Sequence, residues 1–116
     1  MPKGFLLAIA LTCALSGAAI AHHGWGSYDA TKPVTVAGKI MTSRYENPHV
    51  ALTVQTADKL WTVTLAPTSR MVNRGALVEL VAVGRDITAL GYPSTVEKDE
   101  IRAERITVDG KTIEMR

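Results

Sequence analysis

The first 21 residues limit what this chain can fold into, because they have the pattern of a cleaved secretory signal peptide. Lys3 supplies a short positive region, and residues 5–15 form an apolar stretch too short to span a bilayer. Ala19-Ile20-Ala21 is a small-x-small cleavage site. Cleavage after residue 21 of 116 leaves 95 residues that begin at His22. A chain of that length forms one small domain, which we expect to be periplasmic or secreted, with no membrane span after signal removal.

Cysteine content and net charge restrict the classes of protein further. The one cysteine, Cys13, lies inside the signal segment, so we expect a mature domain without disulfides. The formal net charge is +2 and falls to +1 once Lys3 is removed. A nucleic-acid-binding domain carries a clustered basic excess, so we expect no nucleic-acid partner.

The pattern after residue 21 predicts an N-terminal arm over residues 22–33 and a β-domain over residues 34–116. Period-two alternation predicts strands at residues 34–42, 50–55 and 60–65, with Gly38 marking a bulge or sharp bend in the first. The Asn47-Pro48 step predicts a turn between the first two strands. Strands at residues 87–92 and 100–108 follow, and Asp109-Gly110 predicts a two-residue hairpin turn into a returning arm.

A short helix is predicted between the third and fourth strands. Thr68 or Ser69 could cap it, and it would run to about Leu77 unless Gly75 ends it earlier. Met71, Val72 and Leu77 are its expected buried residues. Five strands with a helix after the third predict an all-β fold with one short helix, a small OB-type Greek-key barrel. An antiparallel sheet with a helix on one face is the alternative.

Several motifs resemble those of one family. They are His22-His23-Gly24-Trp25 with Tyr28-Asp29, Lys32-Pro33-Val34-Thr35, Asn47-Pro48-His49, Gly91-Tyr92-Pro93 and Arg102-Ala103-Glu104-Arg105-Ile106. This combination resembles the DUF6152 family of small exported bacterial proteins of unknown function. The resemblance implies a small OB-type barrel and no known activity, so function has to be argued from the sites.

The three histidines, His22, His23 and His49, are the candidate metal ligands. With His22 as the N-terminus, its amine and one ring nitrogen could hold copper(II), and His49 could add a third nitrogen if the arm folds back. His23 is an alternate donor. A cleavage that kept Ala21 would instead place His23 third, where amine, amides and imidazole could form a square plane. The alternative is that the His-His pair tolerates signal processing and His49 belongs to a turn.

Aromatic and arginine residues are the candidates for metal-independent binding. Tyr45 could stack on a ligand, and Arg70, Arg74 and Arg102 could clamp an anion or a polysaccharide, because guanidinium groups match carboxylates and phosphates. Surface ion pairing is the alternative for the arginines. Trp25 and Tyr28 are expected to fasten the arm to the barrel, or to form a lid over it.

We expect a binding module and not an enzyme. No serine has the context of a nucleophile elbow, and no thiol remains after cleavage. The predicted function is an exported module that binds copper(II) through its N-terminal histidine. The alternative is metal-independent binding of an envelope ligand or partner protein by the barrel surface.

Overall fold

The computed structural model describes residues 24–116. The predicted signal peptide, residues 1–21, and the candidate ligands His22 and His23 lie outside the described residues. The described elements, in chain order, are a 3-10 helix Trp25–Ser27, β1 Val34–Arg44, β2 Ala51–Gln55, β3 Leu60–Thr64, α1 Thr68–Asn73, β4 Asp86–Pro93, β5 Glu100–Val108 and β6 Lys111–Glu114. None of the helices within residues 24–116 is long and apolar enough to cross a membrane.

Five of the strands close into a barrel. β1 pairs antiparallel with β2 and with β4, β2 pairs with β3, and β4 pairs with β5. The ring closes where β3 and β5 run parallel through three residue pairs, from Thr62–Glu100 to Thr64–Arg102. The predicted OB-type barrel is therefore confirmed. The alternative of an antiparallel sheet with a helix on one face is wrong, because the parallel pairing of β3 with β5 closes the sheet into a barrel.

β6 extends the sheet beside the second half of β5. The turn between them is Asp109-Gly110, whose φ angles are 53° and 77°. Two central residues with positive φ form the type of tight turn that suits the twist of a hairpin. The hairpin predicted from the Asp-Gly pair is confirmed.

The core fills the barrel, as the alternation in each strand predicts. Val36 and Ile40 of β1, Leu52 and Val54 of β2, and Val63 of β3 are each at most 1% exposed. Burial of apolar surface is worth about 25 cal/mol per Å², so this inward set supplies much of the driving force for closing the barrel. The intervening residues of the same strands face outward.

α1 is shorter than the longest helix that the sequence allowed. It starts at Thr68 and ends at Asn73, not near Leu77. Gly75 follows with φ of +87°, a conformation that ends a helix and suits glycine. The early end expected from Gly75 is thus confirmed.

One residue of α1 fills the core. Met71 is fully buried, as predicted. The expectation that Val72 and Leu77 are also buried is wrong, since they are 51% and 48% exposed. Val72 lies beside Met71 on a six-residue helix whose buried face is narrow, and Leu77 lies beyond the end of the helix.

A residue distant in sequence accepts the hydrogen bonds at the start of α1. The N-cap position is Pro67, whose side chain makes no capping hydrogen bond. The predicted cap by Thr68 or Ser69 is therefore wrong. Instead, the backbone N–H and the hydroxyl of Thr68 donate to Asn47 Oδ1 at 3.1 and 3.0 Å. The turn between β1 and β2 is thereby fastened to the helix.

Gly38 allows a close approach of two strands. The bulge in β1 lies at Met41, where the register with β2 shifts between Ile40 and Thr42, and not at Gly38. A Cβ added at Gly38 would lie 2.0 Å from the carbonyl oxygen of Gln55. Because that atom belongs to the backbone, it cannot move aside as a flexible side chain could.

We predict that Gly38→Ala lowers the free energy of unfolding by about 3 kcal/mol, since the new methyl group overlaps backbone atoms. Urea denaturation followed by circular dichroism measures the effect. Gly26→Ala is the matched control, because nothing lies within 4 Å of its added Cβ. Equal unfolding midpoints for the two variants would contradict the close approach.

Candidate functional site

A cleft of about 250 Å³ lies on the outer face of the barrel. It runs over β2 and β3 to the start of β5, and the loop between β1 and β2 and the N-terminal arm border it. Most of its lining residues have side chains with a polar group, and both charge signs are present. The lining residues are Tyr28, Arg44, Pro48, His49, Ala51, Thr62, Thr64, Glu100 and Arg102.

Strand pairing arranges the floor of the cleft in rows. The first row crosses four strands through the pairs Arg44–Ala51, Ala51–Thr64 and Thr64–Arg102. Their sequence neighbours on β2, β3 and β5 are core residues, so these side chains face outward. Two short side chains between two arginines leave a hollow, and this explains the concave surface.

The second row carries hydroxyl groups and ends in a carboxylate. It runs through the pairs Thr42–Thr53, Thr53–Thr62 and Thr62–Glu100. Thr42 and Thr53 share a hydrogen bond of 2.6 Å between their hydroxyls. The outer face of the barrel thus has a row with a cation at each end beside a row of threonines that leads to Glu100.

Arg102 is a charged residue set into the barrel wall, with only 5% of its surface exposed. Its guanidinium carbon lies 4.5 Å from the centre of the Trp25 ring, a cation–π distance. Burial lowers the pKa of Arg102, and the positive charges of Arg70 and Arg116 lower it further. An arginine nonetheless stays protonated in proteins, so the cleft holds a permanent, positioned cation.

His49 lies next to this cation. Its Nε2 is 3.1 Å from the nearer terminal nitrogen of Arg102. A guanidinium can only donate, so Nε2 accepts, and the ring in this arrangement is neutral and carries its proton on Nδ1. The two residues are brought together because His49 is two residues before β2 and Arg102 lies across the cleft in β5.

Glu100 joins the arm to the barrel. Its Oε2 accepts hydrogen bonds from the Tyr28 hydroxyl at 2.5 Å and from the Thr64 hydroxyl at 3.0 Å. Burial, followed by the hydrogen bond and the charge of Glu100, raises the pKa of Tyr28 from 10.0 to about 12. Tyr28 is therefore a neutral donor throughout the physiological range of pH.

The described part of the arm is fixed along the fourth and fifth strands. The Trp25 ring meets Tyr28 and Tyr92 edge-on, with ring centres 6.4 and 6.3 Å apart. The backbone of Asp29 donates to Pro93, and that of Thr95 donates to Ser27, both at 2.9 Å. The expectation that the aromatic residues fasten the arm matches these contacts, and the arm in turn supplies Tyr28 to the cleft.

Three of the predicted binding residues do not line the cleft. The Tyr45 hydroxyl donates to the carbonyl of Ala76 at 2.6 Å. Arg70 donates to the carbonyl of Met115 at 3.1 Å, and Arg74 donates to those of Glu114 and Arg116 at 3.0 and 3.1 Å. Both arginines thus join α1 to the C-terminal segment. The structure brings together Arg102 and His49 from the candidate set and leaves these three elsewhere.

Five of the residues that line the cleft were not predicted from the sequence. They are Ala51, Thr62, Thr64, Glu100 and Arg44. Their signal is present in the alternation, because the outward positions of β2 and β3 in an OB-type barrel form its usual binding face. The partner strand β5 could not be placed beside them, because a parallel pairing leaves no local pattern.

Metal ligands do not cluster within the described residues. Among residues 24–116, no three His, Cys, Asp or Glu side chains come together in a group that could hold a metal ion. His49 is the described histidine, and its neighbour in the cleft is a cation.

Comparisons with known proteins bear on family and fold. A family model described as a family of unknown function, DUF6152, matches residues 10–101. No curated protein matches the sequence. The chain is similar to a solved structure, the crystal structure of a complex of TiaS with an isoleucine tRNA and ATP, with a TM-score of 0.51 and 18% identity. The match covers 70% of this chain and 19% of that one, so it supports the OB-type fold alone.

We predict that Glu100→Gln lowers the pKa of Tyr28 from about 12 but leaves it above 10.0, because burial is the largest cause and remains. Since the folded pKa exceeds the unfolded one, the stability that the neutral phenol provides is complete below pH 10 and is lost as the pH rises towards 12. A pH titration of 13Cζ-labelled tyrosine by NMR measures the pKa of Tyr28, and the Tyr28→Phe variant identifies its resonance. Identical titration of Tyr28 in the variant and the parent would contradict the role of Glu100.

Proposed function

This chain belongs to DUF6152, a family of unknown function, and we propose that it is an exported binding module that holds a small polar ligand of the cell envelope in the cleft. One observation carries the proposal. A concave site with converging polar groups lies over β2 and β3, the face on which OB-type barrels bind their ligands. At about 250 Å³ the cleft is smaller than pockets for drug-sized molecules, which favours a ligand of one or two rings.

Binding, and not catalysis, is the function that these contacts support. Glu100 accepts two hydroxyl hydrogen bonds, and Arg102 contacts both Trp25 and His49. Groups held in this way are oriented before a ligand arrives, so less conformational entropy is lost on binding. The ligand then adds hydrogen bonds to a set that is already in place.

The arginine and aromatic residues proposed from the sequence have different parts in this function. Arg102 is the residue that would contact the ligand. Arg70, Arg74 and Tyr45 would support it indirectly, since they donate to main-chain carbonyls. A partner protein that inserts a polar side chain into the cleft would use the same groups.

We predict that Ala51→Leu weakens ligand binding by about tenfold or more, because the longer side chain fills the hollow between the two arginines. The assay is 1H–15N NMR titration with envelope-glycan fragments and small organic acids, and it reads the amides of Thr64 and Arg102. Ala37→Leu is the matched control, an identical change at an exposed β1 position outside the cleft. A ligand that binds both variants as it binds the parent would exclude the cleft as its site.

Copper(II) binding at the N-terminus is the second candidate function, and the attachment of the arm favours it. Trp25 lies against Arg102, and Arg102 contacts His49. A chain spans at most about 3.5 Å per residue, and only two residues separate His22 from Trp25 in the sequence. The short separation of His22 from Trp25 in sequence supports the proposal that its amine and ring could approach His49.

The residues fit a copper site only in part. Neutral imidazoles and an amine are suitable donors for copper(II). His49, however, presents Nε2 to Arg102, so copper at that nitrogen requires the guanidinium to move. We therefore propose the amine and ring of His22 as the main donors, with His23 as an alternate donor and His49 as a weaker third.

Copper titration followed by electron paramagnetic resonance tests the proposed copper site. The protein used should have the intact mass of a chain that begins at His22. We predict one-to-one binding that weakens as the pH falls, because protons compete for the amine and the imidazoles. A residue added before His22 should reduce the affinity more than His49→Ala does, since Arg102 already occupies Nε2 of His49. An affinity and spectrum unchanged by both modifications would exclude the site.

A further inference from the structure

We propose that the ligand of the cleft is a hydroxylated monocarboxylate, of the kind present in an acidic sugar residue. The inference rests on the binding module proposed above and adds the chemical class of its ligand. Three properties of the cleft lead to it: the balance of charge, the hydroxyl and carboxylate acceptors on one side, and the difference between the two arginines.

The balance of charge selects a single negative charge. Arg44 and Arg102 line the cleft with one carboxylate, Glu100, and with His49. With His49 neutral, the formal sum of these groups is one positive charge. A monocarboxylate neutralises that charge, whereas the second negative charge of a phosphate would exceed the formal charge of these groups and be repelled by Glu100.

The acceptor side selects a ligand that carries hydroxyl groups. Glu100 is a carboxylate with acceptor capacity at both oxygens, and it ends the row of threonines on the cleft floor. Thr62 and Thr64 can both donate and accept. A sugar ring presents hydroxyls that donate to a carboxylate and exchange hydrogen bonds with threonines, whereas a simple aliphatic acid adds no such hydrogen bonds to these groups.

The two arginines differ in mobility, which gives them separate tasks. Arg102 is buried against Trp25 and its guanidinium carries five N–H donors, so it can bond His49 and a carboxylate together. The Arg44 side chain is 70% exposed and pairs with the exposed Glu46 at 3.3 Å. Such an exposed pair contributes little energy, so Arg44 can turn from Glu46 to a bound carboxylate.

The experiment compares three probes by NMR titration of the full chain. Methyl β-D-glucuronoside carries the carboxylate and the hydroxyls, methyl β-D-glucoside lacks the carboxylate, and acetate lacks the ring. We expect saturable shifts of cleft amides with the glucuronoside, and binding of the other two weaker by about tenfold, as the loss of a charge-assisted hydrogen bond predicts.

Arg44→Gln tests how much the charge of Arg44 contributes to the binding affinity. Arg44 is exposed, so its replacement leaves the core of the barrel intact. We expect this variant to weaken glucuronoside binding by about tenfold while changing glucoside binding by less than about twofold. Arg85→Gln is the control, an exposed arginine paired with Asp109 at 3.8 Å outside the cleft.

The outcomes separate this inference from the proposed function. Equal affinity for glucuronoside and glucoside, with shifts that Ala51→Leu abolishes, would overturn the acidic ligand and keep the cleft. The acidic ligand would also be overturned, and the cleft kept, if the glucuronoside gave no shifts while another ligand bound in the cleft. Shifts with the glucuronoside that Ala51→Leu leaves unchanged would overturn both.

Discussion

Three parallel residue pairs between β3 and β5 close this barrel, and the cleft depends on them. The pairs run from Thr62–Glu100 to Thr64–Arg102. They bring hydroxyls from one part of the chain beside a carboxylate and a guanidinium from another. The same closure seals the core, since Val63 and Ile101 are a pair in this register and both are fully buried. Stability and site are thus consequences of one short ladder.

The fold was predictable where its determinants are local. Alternation placed Val50, Leu52 and Val54 in the core, and the Asp109-Gly110 pair specified the last hairpin. Prediction failed where a residue distant in sequence decides the outcome. At the start of α1 the backbone N–H of Thr68 donates to Asn47, and no sequence pattern near Thr68 predicts this partner. Val72 lies beside the buried Met71 in a helix too short to bury both.

The site was predictable only in part, for a related reason. The sequence indicates which residues carry charge, but it does not indicate what each charge contacts. Arg70 and Arg74 donate to backbone carbonyls, while Arg102 reaches the cleft, a difference that the residue type alone does not indicate. Glu100 became recognisable as a site residue only when the parallel register placed it beside Thr62.

Arg102 is the point at which the two candidate functions meet. Its guanidinium donates to Nε2 of His49, which is also the nitrogen that copper would need. A carboxylate ligand would bond the guanidinium that already contacts His49, and a metal at Nε2 of His49 would displace that guanidinium. Each ligand would therefore act on the contact between Arg102 and His49 that the other also involves. Because such coupling between two equilibria is reciprocal, any effect of copper on the affinity for an acid must equal the effect of the acid on the affinity for copper.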